Sequence, residues 1–133
     1  MSEEHLDLLR RGFEHVERTR EFLPEVAHPD FVWDTTTFGG GVNPATCVGV
    51  DEANKWLAEW LEGFEDWSID VEEIFDAGDR VVTIVRQRAS AKHRGPEVEM
   101  RFAQVWTFRN GLIARMEMYA DRDAALEAAG LEE

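Results

Sequence analysis

The chain has 133 residues, about one domain's worth, and 44% hydrophobic with 11% aromatic residues describes a packed protein, not a disordered or fibrous one. Its 14 Lys and Arg against 28 Asp and Glu leave a net charge of -14, which disfavours nucleic-acid backbones and anionic membranes as partners. One cysteine, Cys47, excludes an intrachain disulfide, and with four scattered histidines it makes no zinc set, so neither a metal nor a cofactor is expected.

No stretch approaches the roughly 20 apolar residues of a membrane-spanning helix. The first residues, Met1 to His5, lack the basic and apolar parts of a secretory signal. The expectations are a single domain over 1–133 and a cytoplasmic location.

Leu6, Leu9, Phe13 and Val16 recur at spacings of three and four and predict an amphipathic first helix. A second short helix fits residues 22–26, with Pro24 in its first turn, where a missing amide hydrogen costs nothing. Phe31 and Trp33 then alternate with Val32 and Asp34 in a short strand. Residues 35–49 carry no period and contain a triple glycine at 39–41; they read as a long loop and the one candidate lid.

From Asp51, the positions Ala53, Trp56, Leu57, Trp60, Leu61 and Phe64 follow the helix period. Trp67, Ile69 and Val71 then alternate as a strand, but the apolar phase slips to Ile74, which predicts a bulge near Glu72. Residues 77–79 turn into a strand over 80–92, residues 93–96 turn back, and 97–109 is the next strand. Asn110-Gly111 is a two-residue hairpin signal leading into a strand over 112–120. Asp121 caps a last helix over 122–129, closed by Gly130.

This order predicts an α+β fold: a cone-shaped, curved antiparallel sheet with helices packed on its concave face. Strands of about twelve residues span roughly 40 Å. In a domain this small such a sheet must curl, and helices across its concave side leave a hollow.

The second half, Arg101-Phe102-Ala103-Gln104-Val105-Trp106-Thr107-Phe108-Arg109-Asn110-Gly111-Leu112-Ile113 with Tyr119-Ala120-Asp121, closely resembles SnoaL-like proteins of the NTF2-like superfamily, which includes the polyketide cyclases and the ketosteroid isomerase-like fold. His28-Pro29-Asp30 with Trp33, and Gly49-Val50-Asp51-Glu52, fit the same pattern, so the resemblance spans the chain. It implies a conical cavity and a homodimer through the outer sheet face. It does not by itself choose an activity, because the superfamily holds cyclases, isomerases, epoxide hydrolases, dehydratases and modules without known chemistry.

Strand alternation assigns the cavity side chains. On the last strand Ala114, Met116, Met118 and Ala120 share the inward face against Arg115, Glu117, Tyr119 and Asp121. On the strand before it Phe102, Gln104 and Trp106 face in, and Val105 and Thr107 face out, where a second subunit would cover them. In the resembling cyclases and epoxide hydrolases an acid stands at the position of Met118, and many relatives carry His at that of Gln104. Methionine transfers no proton and glutamine does not titrate.

The residues read as ligand-binding are therefore Trp33, Trp56, Trp60, Phe102, Gln104, Trp106, Met116 and Met118. They would hold a small, largely apolar molecule, aromatic or polycyclic, oriented by a polar group such as Gln104. A second reading is a cofactor-independent isomerase, cyclase or hydratase with Asp34 as catalytic base, near where ketosteroid isomerases carry theirs, and Gln104 or an indole steadying the oxyanion. Strict alternation with Trp33 inward would turn Asp34 away. A third reading is a dimerisation module whose cone is filled by its own aromatics. The facing of Arg86 and Arg88 depends on hairpin register, which the sequence leaves open.

Overall fold

The computed structural model describes residues 3–38, 46–91 and 95–131. The triple glycine read as a lid, with the rest of residues 39–45 of its loop, and residues 92–94 lie outside the described residues.

Helix α1 (Glu3–Thr19) has Glu3 and Glu4 in its first turn and Arg18 in its last, matching the helix dipole, and buries Leu9 and Val16. A short 3-10 turn, Pro24–Val26, leads into β1 (Ala27–Asp34). Pro29 belongs to that strand, in the stretch between Ala27 and Val32 where pairing with its neighbour is interrupted. A three-residue strand β2 (Thr46–Val48) follows, too short to show a period in sequence. Then come α2 (Val50–Leu61), β3 (Phe64–Ala77), β4 (Arg80–Ala91), β5 (Glu97–Arg109), β6 (Leu112–Tyr119) and α3 (Arg122–Ala128).

The strands form one sheet in the order β2-β1-β6-β5-β4-β3. The sheet is mixed and not wholly antiparallel, because β1 runs parallel to β6, pairing Trp33 with Met116 and Asp34 with Glu117. The slip near Glu72 is present: Val71 pairs with Val85, Glu73 with Ile84, and the extra residue restores Ile74 to the face of Thr83. At Asn110-Gly111 both residues have positive φ, 53° and 75°, as a tight primed hairpin turn requires.

Alternation separates two apolar layers. Val81, Val85, Phe102, Trp106, Met116 and Met118 pack with α1 and α2 on the inner face. Val82, Ile84, Ala103 and Val105 pack on the other face against Ala125, Leu126 and Ala129 of the α3 region. Two helices thus cover the concave side while α3 covers part of the outer one. Val105 is sealed by the chain's own helix, not left open for a second subunit. The Asp121 carboxylate accepts the Asp123 amide hydrogen and caps α3, as its position predicts. One slip was not legible: a bulge between Thr107 and Phe108 pairs Phe108 with Ile113, so Ile113 and not Ala114 joins the inner layer, and Ala120 is exposed beyond the strand.

Candidate functional site

Between α1, α2 and the inner sheet face lies a cavity of 60 Å³. All five tryptophans of the chain line it, Trp33 from β1, Trp56 and Trp60 from α2, Trp67 from β3 and Trp106 from β5. Trp33 meets Trp56 edge-on with ring centres 4.7 Å apart, Trp56 stacks on Trp60 at 5.5 Å, and Phe22 meets Trp33 edge-on at 4.8 Å. Offset and edge contacts of this kind are the favoured arrangements of aromatic quadrupoles, so the wall is rigid as well as apolar.

The eight residues assigned to ligand binding from sequence all line this cavity. Gln104 and Met118 are cross-strand partners, as are Trp106 and Met116. Sequence reasoning missed Trp67, Gln87, which pairs with Ile69 across β3 and β4, and Phe13, Phe22 and Gly12. Gln87 was the detectable one: it is a lone amide at the parity of Val81 and Val85, but only the hairpin register reveals which parity faces in. None of the cavity-lining residues among those described ionises near neutral pH.

A buried hydrogen-bond chain joins Trp106 and Gln104 of the wall through Thr83, which lines the neighbouring groove. Trp106 Nε1 donates to Thr83 Oγ1 at 2.9 Å, and Thr83 Oγ1 donates to Gln104 Oε1 at 2.8 Å. Trp60 Nε1 donates, at a longer 3.4 Å, to Gln87 Oε1. The indole nitrogens of Trp33 and Trp67 are shut off from solvent and have no acceptor among the described residues. An unmet buried donor costs about 1–3 kcal/mol, so each is either a defect or a place for a ligand atom.

Asp34, the candidate catalytic base, lies outside this cavity. With Trp33 inward, the next residue of β1 turns outward, and Asp34 Oδ2 lies 2.6 Å from Arg115 Nη2 on the outer face. Its other oxygen accepts the backbone N–H and the hydroxyl of Thr36. A carboxylate so engaged, on the far side of the sheet, does not line the cavity. Glu117 is also outside, accepting from Tyr119, and the Tyr119 phenol is pushed up to about 12 by burial and by Glu117. Arg86 and Arg88 project outward with it and share Asp70 at 3.7 and 3.3 Å.

Next to the cavity, between α1 and β3, runs an open groove of 730 Å³ whose apolar side chains include Leu6, Leu9, Val71 and Ile74. Phe13 and Ile69 line both spaces and form the partition. Cys47 on β2 is buried, and its thiol is pushed up by burial and by Glu52 and Glu59. No set of metal-ligating side chains gathers among the described residues. No helix among them is long and apolar enough to cross a membrane.

The SnoaL-like domain model matches residues 9–116. The chain belongs to the SnoaL-like family. Solved structures of similar shape agree with this membership. An NTF2-like protein of unknown function from Burkholderia pseudomallei K96243 is 23% identical over 96% of this chain and 97% of its own, with a TM-score of 0.74. TerC, co-crystallised with polyporic acid, is 23% identical over 96% and 98%, with a TM-score of 0.72. A protein described as a SnoaL-like polyketide cyclase from Jannaschia sp. CCS1 is 19% identical over 98% and 94%, at 0.69. At these identities the likeness speaks for the fold alone. No curated protein matches the sequence.

Proposed function

We propose that this SnoaL-like chain is a pocket protein that takes up a small, largely apolar, uncharged molecule in its tryptophan-lined cavity. The observation that carries this reading is the composition of the wall: five tryptophans, two methionines and two amides, with no ionisable group among the described lining residues. Such a wall offers surface and orientation, but no proton donor or base for cyclisation or hydration. The position of Met118, where the resembling cyclases carry an acid, supports the same conclusion. That TerC is co-crystallised with polyporic acid fits small-molecule binding on this fold.

The volume sets a condition. A cavity of 60 Å³ is well below the roughly 150 Å³ of an engineered cavity that holds benzene. An aromatic ligand therefore needs the partition to move. Phe13 is half-buried and touches Trp106 edge-on at 5.7 Å, so its rotation toward the groove joins the two spaces. The same volume favours the second reading, a cone filled by its own side chains. Native mass spectrometry of the purified protein, with tryptophan fluorescence during titration of apolar probes, separates the two. A retained small molecule or saturable quenching supports the pocket; neither, at millimolar probe, leaves the filled module.

The reading includes a cytoplasmic homodimer joined through the part of the outer face that α3 leaves uncovered, where Arg86 and Arg88 meet Asp70 and Arg101 meets Glu72. Sedimentation velocity at micromolar concentration is the check, and monomer alone removes the dimer.

A further inference from the structure

We infer that the cavity recognises its ligand through hydrogen-bond acceptors carried on a neutral, largely apolar molecule, a ketone being the simplest example. This rests on the pocket reading and names the ligand class for that same site.

The inference comes from counting hydrogens. An indole N–H only donates, so Thr83 Oγ1 is the acceptor for Trp106, and the Thr83 hydrogen goes on to Gln104 Oε1. That fixes the amide orientation, and Gln104 Nε2 is left without a partner among the described residues. Gln87 repeats the pattern, its oxygen taken by Trp60 and its nitrogen unpaired. Trp33 and Trp67, 3% and 7% exposed, add two indole N–H groups that find no acceptor among those residues. Among the described residues the wall therefore holds four unpaired donor groups, while each side-chain carbonyl oxygen already accepts one hydrogen bond and keeps one further lone pair. The sulfurs of Met116 and Met118 accept only weakly, so donors outnumber acceptors.

A ketone oxygen placed here meets donors and brings no hydrogen of its own. An alcohol of the same shape also accepts, but its hydrogen must compete for the single lone pair left on Gln87 or Gln104. Charged ligands are disfavoured from both sides. No Lys or Arg lines the cavity to hold an anion, and no carboxylate lines it to hold a cation.

The test compares acetophenone with α-methylstyrene, in which a CH2 group replaces the carbonyl oxygen, with 1-phenylethanol, and with tetramethylammonium as a cation that aromatic faces alone would hold. Each is titrated into the whole chain while the five indole N–H signals are followed by nitrogen-15 correlated NMR, with Trp33→Phe and Trp67→Phe spectra assigning two of them. Acetophenone should bind about tenfold more tightly than α-methylstyrene, no more weakly than 1-phenylethanol, and move the Trp33 or Trp67 signal downfield. In Gln104→Leu the preference should shrink while α-methylstyrene binding persists. Equal affinity for acetophenone and α-methylstyrene overturns the acceptor rule and leaves the pocket intact. Tighter binding of 1-phenylethanol or tetramethylammonium overturns it too. No binding of any probe removes the pocket and the rule together.

Discussion

Asp34 and Arg115 form a short ion pair, 2.6 Å between Oδ2 and Nη2, on the side of the sheet opposite the Trp33 ring. The parallel pairing of β1 with β6 creates it, since Val32 and Asp34 lie opposite Arg115 and Glu117. A carboxylate whose position in sequence invites a catalytic role thereby becomes a structural one. Asp34→Asn should leave ligand affinity unchanged and lower stability by about 1–2 kcal/mol, the buried-pair cost discounted because the Arg115 side chain is 38% exposed. Urea denaturation beside a binding titration reads both. Lost affinity at undiminished stability would contradict this placement.

Thr83 is the hinge of the polar chain that joins Trp106 and Gln104, fully buried and bonded on both sides. Thr83→Val keeps the shape but strands the Trp106 indole hydrogen and the Gln104 carbonyl. A loss of about 1–3 kcal/mol is expected from the urea midpoint, with Thr83→Ser retaining most of the stability. An unchanged midpoint for Thr83→Val would mean that water replaces the hydroxyl at no cost.

Gly12 lies within α1 and lines the cavity, and a Cβ built there meets only Val26 Cγ2, at 4.0 Å. Glycine inside a helix is less stable than alanine by about 0.5–1 kcal/mol. Gly12→Ala should therefore raise the melting temperature while narrowing the cavity, so apolar probes bind more weakly. A variant that is both more stable and a better binder would show that Gly12 does not bound the ligand's space.

Tyr119 is the chain's single tyrosine, so its ionisation can be followed without interference from another phenol. Its folded pKa, about 12, lies above the ordinary 10.0. The folded state holds the proton longer than the unfolded one, so this contribution to stability is present below pH 10 and is lost as pH rises to about 12. Phenolate absorbance should rise with a midpoint near 12 in native protein, and Tyr119→Phe should flatten the alkaline fall in melting temperature. A midpoint near 10 in folded protein would remove the Glu117 contact as its cause.

Much of the candidate site was legible because a strand's period of two and a helix's of 3.6 are local facts. Parity on β5 and β6 is enough to gather Phe102, Gln104, Trp106, Met116 and Met118, and the helix period of α2 is enough to add Trp56 and Trp60. Gln87 and Trp67 escaped because their inward facing depends on pairing across the β3–β4 hairpin, where the bulge between Val71 and Glu73 changes the phase.

By itself the sequence determined the element types apart from β2, the slip at Glu72, the cap at Asp121, the absence of an acid at Met118 and the likeness to the SnoaL-like fold, all carried by neighbours along the chain. Only the tertiary structure decided that β1 lies parallel to β6, that α3 crosses to the outer face, and that Asp34 faces Arg115. Those outcomes arise between segments well separated in sequence, where burial of whole faces, and no local propensity, selects the partner. The small volume of the cavity belongs with them, since it is what remains after five indoles from four separate elements have packed together.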